Sequence, residues 1–214
     1  MSYYLKWSDS TGDITTNNEL LQISGVSGTL VSIEYVVKAA SQVYTINRYL
    51  FDIRRLVGSD TNGGDRGWII NSAGDNTITE TVSNFRKNGI SINALGLFEN
   101  YAIDDTFSFD VGIAPSGGAF SFGARYNEIE HFYGLSVSSI IVEDSDGLHT
   151  IDMSDSGGSG TSLTSTDGDI TATLFNFPTD DSQWVFYSTG PDTPVNLSIT
   201  NLLATTARLN WEQG

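Results

Sequence analysis

Thr106-Phe-Ser-Phe-Asp-Val-Gly-Ile113 alternates polar and apolar residues along its length. Alternation with a period of two is the mark of a β-strand with one face in a core. Leu30-Val-Ser-Ile-Glu-Tyr-Val-Val37 upstream has the same β-rich character. Working outward, shorter runs of this kind recur: Leu20 to Ile23, Arg48 to Val57, Trp68 to Ile70, Ile78 to Phe85 and Ile90 to Ile92. They continue with Ala119 to Tyr126, Leu135 to Val142, Leu148 to Ile151, Ile170 to Phe175 and Trp184 to Tyr187. Turn signals separate them, among them Pro115-Ser-Gly-Gly118 and Asp144-Ser-Asp-Gly147. Asn88-Gly89, between Val82-Ser-Asn-Phe85 and Ile90-Ser-Ile92, predicts a hairpin because both residues tolerate positive φ. No apolar period of 3.6 extends over eleven residues. The pattern predicts an all-β protein built as a two-sheet sandwich.

Composition agrees and narrows the partners. The 214 residues suffice for one large β domain or two small ones. Asp and Glu number 26 against 10 Lys and Arg, a net charge of -16. Such a surface repels phosphate backbones and anionic membranes, so nucleic acid is excluded as a partner and cations are favoured. With no Cys there is neither disulfide nor thiolate chemistry, and two His residues, His131 and His149, cannot make a histidine-rich metal centre. No apolar run reaches the roughly 20 residues of a membrane span, so membrane insertion is not expected. The opening Met-Ser-Tyr-Tyr-Leu-Lys-Trp7 has no signal-peptide pattern.

Two segments stand apart. Ser154-Asp-Ser-Gly-Gly-Ser-Gly-Thr161 is small and polar and predicts a flexible loop. Gly190-Pro-Asp-Thr-Pro194 predicts an extended linker. Val195 to Thr200 and Thr205 to Trp211 follow as two alternating strands, too few for a core of their own. Pro191-Asp-Thr-Pro194-Val-Asn-Leu197 with Ala207-Arg-Leu-Asn-Trp211 resembles the opening of a fibronectin type III domain. That resemblance implies a truncated sandwich over residues 195–214, reached through a linker at 189–194, in a longer protein.

Within a predicted domain over residues 1–188, roughly residues 20 to 145 resemble a second family. Phe120-Ser-Phe-Gly-Ala-Arg125, Phe132-Tyr-Gly134 and Leu135 to Val142 look like the closing strands of laminin-G-like and concanavalin-A-like jelly rolls, with Gly123 and Gly134 as the recurring glycines. The resemblance implies a jelly-roll β-sandwich, a fold that hosts lectins, hydrolases and adhesive modules alike. The stretch 147–188 resembles a tail that follows such jelly rolls in bacterial and phage surface proteins.

Catalytic patterns are weak. Concanavalin-A-like glucanases carry Glu-x-Asp-x-x-Glu, whereas Glu128-Ile-Glu130-His131 lacks the aspartate and the third acid. There is no Gly-x-Ser-x-Gly elbow, and Gly63-Gly64-Asp-Arg-Gly67 puts an acid where a phosphate would sit. His149 falls in a strand after a turn and is expected to be packed or exposed rather than catalytic. Calcium is the favoured cofactor, because hard cations seek carboxylate and amide oxygens in glycine-containing loops. Asp60, Asn62 and Asp65 form the candidate site, and Asp144-Ser-Asp146-Gly and Asp167-Gly-Asp169 are shorter versions. Most of the aromatics are expected in the core, including Trp68, Phe107, Phe109, Phe120, Phe122 and Trp184. Trp7, Tyr101, Tyr126 and Tyr133 are candidate glycan-stacking platforms.

These readings converge on a non-catalytic surface display or adhesion module. A phage virion protein of the tail or its decoration fits the leaderless start, with glycan or cell-surface receptors and other virion proteins as partners. A homo-oligomer is compatible with that role. The alternative is an extracellular carbohydrate-binding module of a secreted polysaccharide-active protein.

Overall fold

The computed structural model describes residues 2–7, 19–38, 48–52, 68–71, 82–97, 101–124, 134–187, 198–203 and 206–210. Sixteen strands run through them. The first eight are β1 (Ser2–Lys6), β2 (Leu20–Ser24), β3 (Leu30–Val37), β4 (Arg48–Asp52), β5 (Trp68–Asn71), β6 (Ser83–Lys87), β7 (Ile90–Ser91) and β8 (Thr106–Ile113). The rest are β9 (Ala119–Phe122), β10 (Ser136–Asp144), β11 (Gly147–Asp152), β12 (Ser162–Thr164), β13 (Thr171–Phe175), β14 (Trp184–Tyr187), β15 (Ser198–Leu203) and β16 (Thr206–Asn210). No α-helix occurs among the described residues.

Two antiparallel sheets pack face to face as a β-sandwich. The larger has the order β14-β1-β10-β3-β8-β6-β7, and the smaller β12-β13-β2-β9-β4-β5. With β3 on one side of β10, the other side is divided. β1 pairs there with Ser136 and Val137, and β11 with Ser139 to Asp144. β15 and β16 form a separate two-stranded sheet.

The alternation read in Thr106–Ile113 sets the core. Phe107, Phe109 and Val111 are buried, whereas Ser108 and Asp110 lie on the other, more open face. From the opposing sheet, Phe120 and Phe122 of β9 and Phe51 of β4 meet them. Phe51 packs edge-on to Phe109 at 5.4 Å, Tyr35 stacks on Phe107 at 5.6 Å, and Tyr35 meets Phe122 edge-on at 5.3 Å. Such offset and edge geometries suit ring quadrupoles and add to the burial of large apolar area.

Trp7 follows β1 and is completely buried. Its indole N–H donates to the Glu19 carbonyl at 2.9 Å, its backbone N–H to the Leu135 carbonyl at 2.8 Å, and its ring meets Phe122 and Phe177 edge-on. Gly123 lies against the ring with φ +77°; a β-carbon there would stand 2.4 Å from the indole. Only glycine meets both demands.

Turn chemistry predicted the hairpin correctly. Asn88 (φ 51°) and Gly89 (φ 75°) turn between β6 and β7, with Lys87 opposite Ile90. The strands β1 and β12 were not expected from the alternation. Residues 147–188 are not an appended tail: β11 and β14 belong to the larger sheet, and β12 and β13 extend the smaller. Nor is the Ser/Gly segment loose. A 3₁₀ turn over Met153–Ser156 is capped by the Asp152 carboxylate, Met153 is buried, and the Gly160 carbonyl accepts from the Trp184 indole at 2.9 Å.

Asp105 anchors the start of β8. It accepts from Lys87 Nζ at 2.7 Å, the Ala102 N–H at 2.6 Å and Asn88 Nδ2 at 2.8 Å. Burial alone would raise its pKa, but these donors outweigh burial and hold it below the usual carboxylate value.

Two predictions follow from this packing. Trp7→Ala costs about 3–5 kcal/mol in urea unfolding, and Gly123→Ala about 1–3 kcal/mol from overpacking. The Trp7→Ala/Gly123→Ala double variant then loses less than the sum, because removing the indole relieves the clash; strict additivity would refute the contact. For Asp105 the folded-state pKa lies below the unfolded one. Its contribution is full above the unfolded value near 3.9 and fades as pH falls through the folded value. Asp105→Asn therefore flattens the acid limb of a stability–pH profile, and an unchanged limb would contradict the assignment.

Candidate functional site

The outer face of the larger sheet carries an open groove of about 520 Å³. Strand registry builds it. Ser32 of β3 sits between Glu143 of β10 and Asp110 of β8, and Glu34 sits between Ile141 and Ser108. Arg86 of β6 closes one side opposite Ser108, and Leu148 of β11 the other, opposite Glu143. Polar groups here are ordered by one another. Ser32 Oγ donates to Glu143 at 2.6 Å, and Asp110 accepts from Arg86 at 3.0 Å and from Asn84 at 2.7 Å. Leu148 is 68% exposed, an apolar wall beside carboxylates, hydroxyls and one guanidinium. This floor can hydrogen-bond a polyhydroxylated ligand from rigid strands.

A second cluster lies at the β10–β11 turn, on the side chains that alternate with those of the groove. His149 is 4% exposed and spans two carboxylates: Nε2 lies 3.0 Å from Asp144 Oδ1, and Nδ1 lies 2.6 Å from Asp167 Oδ2. Asp144 is itself buried and accepts backbone N–H groups from Ser27 at 2.7 Å, Asp146 at 2.8 Å and Gly147 at 3.3 Å. Asp167 belongs to the turn between β12 and β13, where Ser165 Oγ donates to it at 2.5 Å. The cluster thereby clasps the two sheets together, and the Thr166 N–H donates to the Thr150 carbonyl beside it at 2.9 Å.

Charge follows from this geometry. Burial would lower the pKa of His149, but its bonds to Asp144 and Asp167 and their charges raise it on balance. Burial would raise that of Asp144, yet the Ser27 N–H, His149 and the Asp146 N–H leave it lowered. The Ser165 hydroxyl leads in holding Asp167 at about 2. Imidazolium between two carboxylates is the favoured state. Of the metal-ligand types, His149, Asp167 and Asp169 offer donor atoms within 4.8 Å of one another.

The sequence-predicted site residues fare differently. Trp7 and Tyr101 are not glycan platforms. Trp7 is completely buried, and Tyr101 is 8% exposed with its ring 4.6 Å from that of Phe107. Their apolar faces are spent on the core. Asp60, Asn62 and Asp65, together with Tyr126, Tyr133, Glu128, Glu130 and His131, lie outside the described residues. His149, expected to be either packed or exposed, is buried in β11. What sequence inspection missed is that Asp144-Ser-Asp146-Gly and Asp167-Gly-Asp169, noted separately, meet at His149. The groove had a signal in the polar positions of β3 and β8, which alternate with the core residues.

No family model, curated protein or solved structure matches the chain.

Removing a buried partner leaves the other charge uncompensated. Asp144→Ala is expected to lose about 3–5 kcal/mol, read by denaturant unfolding. Asp167→Asn, at the exposed end of the clasp, loses clearly less. Equal losses would show that Asp144 is not the anchor.

Proposed function

We propose that this chain is a non-catalytic recognition module that binds glycan on the outer face of its larger sheet. The observation that carries this is the groove itself: Glu34, Glu143, Asp110, Ser32 and Arg86 stand on neighbouring strands beside the exposed Leu148. Sugars present hydroxyls in pairs and weakly apolar faces, and a few fixed polar groups with an apolar wall suit both. Two of the carboxylates, Glu143 and Asp110, are occupied by Ser32, Arg86 and Asn84, which supports orientation of a ligand over acid–base work.

The same proposal takes the sandwich as a jelly roll of the laminin-G-like or concanavalin-A-like kind. Its support is the pattern of chain crossings, with β1, β3, β8 and β10 in one sheet and β2, β4, β9 and β13 in the other. The β15–β16 hairpin is what the first two strands of a fibronectin type III-like domain would form. Display on a virion suits an acidic, cysteine-free sandwich of this composition. A carbohydrate-binding module of a secreted polysaccharide-active protein would use the groove in the same way.

A glycan array with the whole chain tests this. Selective binding to one glycan class is expected, weakened on the order of tenfold in Glu34→Ala, since a hydrogen bond to a charged group is worth about 1.5–3 kcal/mol. Binding that ignores Glu34→Ala and Arg86→Ala would move the site elsewhere. Hydrolysis of any polysaccharide would overturn the non-catalytic assignment, and silence on the array would leave a structural particle component.

A further inference from the structure

We propose that His149, Asp167 and Asp169 form a binding site for a divalent transition-metal ion, zinc foremost, at the junction of the two sheets. The argument begins with the buried carboxylate behind the histidine. Asp144 is fixed by three backbone N–H groups and holds Nε2 of His149 at 3.0 Å. That bond sets the ring so that Nδ1 faces the 165–170 turn. A histidine whose far nitrogen donates to a buried carboxylate is the arrangement that orients imidazole ligands and raises their basicity in metal sites.

The turn is equally well set. The Ser165 N–H donates to the Ile170 carbonyl at 2.8 Å and the Gly168 N–H to the Ser165 carbonyl at 2.9 Å, which holds Asp167 and Asp169 on one loop. Gly25 allows the close approach: a β-carbon there would stand 2.3 Å from the Asp169 carbonyl oxygen. One imidazole nitrogen and two carboxylates, all within 4.8 Å, make a three-ligand set of the kind that water completes in zinc sites.

Donor chemistry selects the ion. Calcium requires six to eight oxygens, and a nitrogen with two carboxylates supplies too few. Imidazole favours zinc and its neighbours in the first transition row. Nδ1 and Asp167 Oδ2, 2.6 Å apart, share a proton. On binding, that proton passes to solvent and the ion takes its place. Ligand atoms about 2.0–2.1 Å from zinc lie roughly 3.3 Å apart in a tetrahedron, so Asp167 withdraws by less than an ångström. Its side chain is 36% exposed, so Oδ2 can swing outward while Oδ1 keeps the Ser165 hydroxyl. The site is independent of the glycan groove, which uses the opposite face of β10 and β11.

The test uses the whole chain, stripped with chelator and titrated with Zn2+, Co2+ or Ca2+. One Zn2+ per chain is expected by calorimetry, with a rise in Tm, because an ion that binds the folded state alone stabilises it. Co2+ should give visible d–d bands of a low-coordinate site, and millimolar Ca2+ should leave Tm unchanged. Asp169→Asn alters an exposed side chain and keeps the apo Tm, but weakens Zn2+ at least tenfold and reduces the Co2+ bands; Asp167→Asn weakens Zn2+ and the bands likewise, with the small loss of apo stability expected of a clasp residue. The absence of stoichiometric Zn2+ and Co2+ binding would overturn the proposal. So would binding undiminished in both variants, which places the ion elsewhere.

Discussion

The indole of Trp7 sits where four segments of the chain meet. It closes the end of β1, receives the segment entering β2 through the Glu19 carbonyl, packs on Phe122 of β9 and takes Phe177 beyond β13 against its edge. Aromatic burial is the largest apolar contribution available to a sandwich of this size. Here it is coupled to a single satisfied donor, so the ring has one orientation rather than several. Gly123 is the counterpart of that choice. Its missing side chain lets the strand end pass directly over the ring, and the Gly123 N–H still reaches the Leu50 carbonyl at 2.7 Å.

A polar clasp complements the aromatic one. Asp144 gathers the 25–29 connection through Ser27, the β10–β11 turn through its own following residues, and the β12–β13 turn through His149. Ser145 adds to this, accepting the Thr29 N–H at 2.9 Å and donating its own N–H to the Ser27 carbonyl at 3.2 Å. Connections that cross between sheets must satisfy their backbone groups without a ladder. In this protein one buried carboxylate does so for several of them.

The fold class was legible because β3 and β8 carry their alternation in the open, and because Asn88-Gly89 admits few conformations. Glycan platforms were assigned to Trp7 and Tyr101 because aromatic residues beside polar ones look exposed in one dimension. Burial depends on the opposing sheet, and Phe177, 170 positions after Trp7 in the chain, is invisible from its neighbourhood. β1 escaped notice because Leu5 is the one fully buried side chain in it, too little for a period. The His149 cluster escaped for a similar reason. Each of its acids lies in an Asx turn that explains itself locally, and only the pairing of β10 with β11 and the docking of the β12–β13 turn bring them to one imidazole.

The place of β1 has a temporal consequence. Among the described strands its partners are β10 and β14: Leu5 and Lys6 pair with positions 136–137, and Ser2 to Leu5 with positions 184–187. Made before the other described strands, β1 therefore waits for nearly the whole sandwich to emerge before it can be hydrogen-bonded. Contacts of such long sequence separation slow folding and keep edges open meanwhile. The free edge of β10 offers a temporary remedy, since β11 follows it by a two-residue turn and can zip onto it at once. The local hairpin would then cover most of that edge first, leaving a short berth at Ser136 and Val137 into which β1, the earliest of the described strands, docks last.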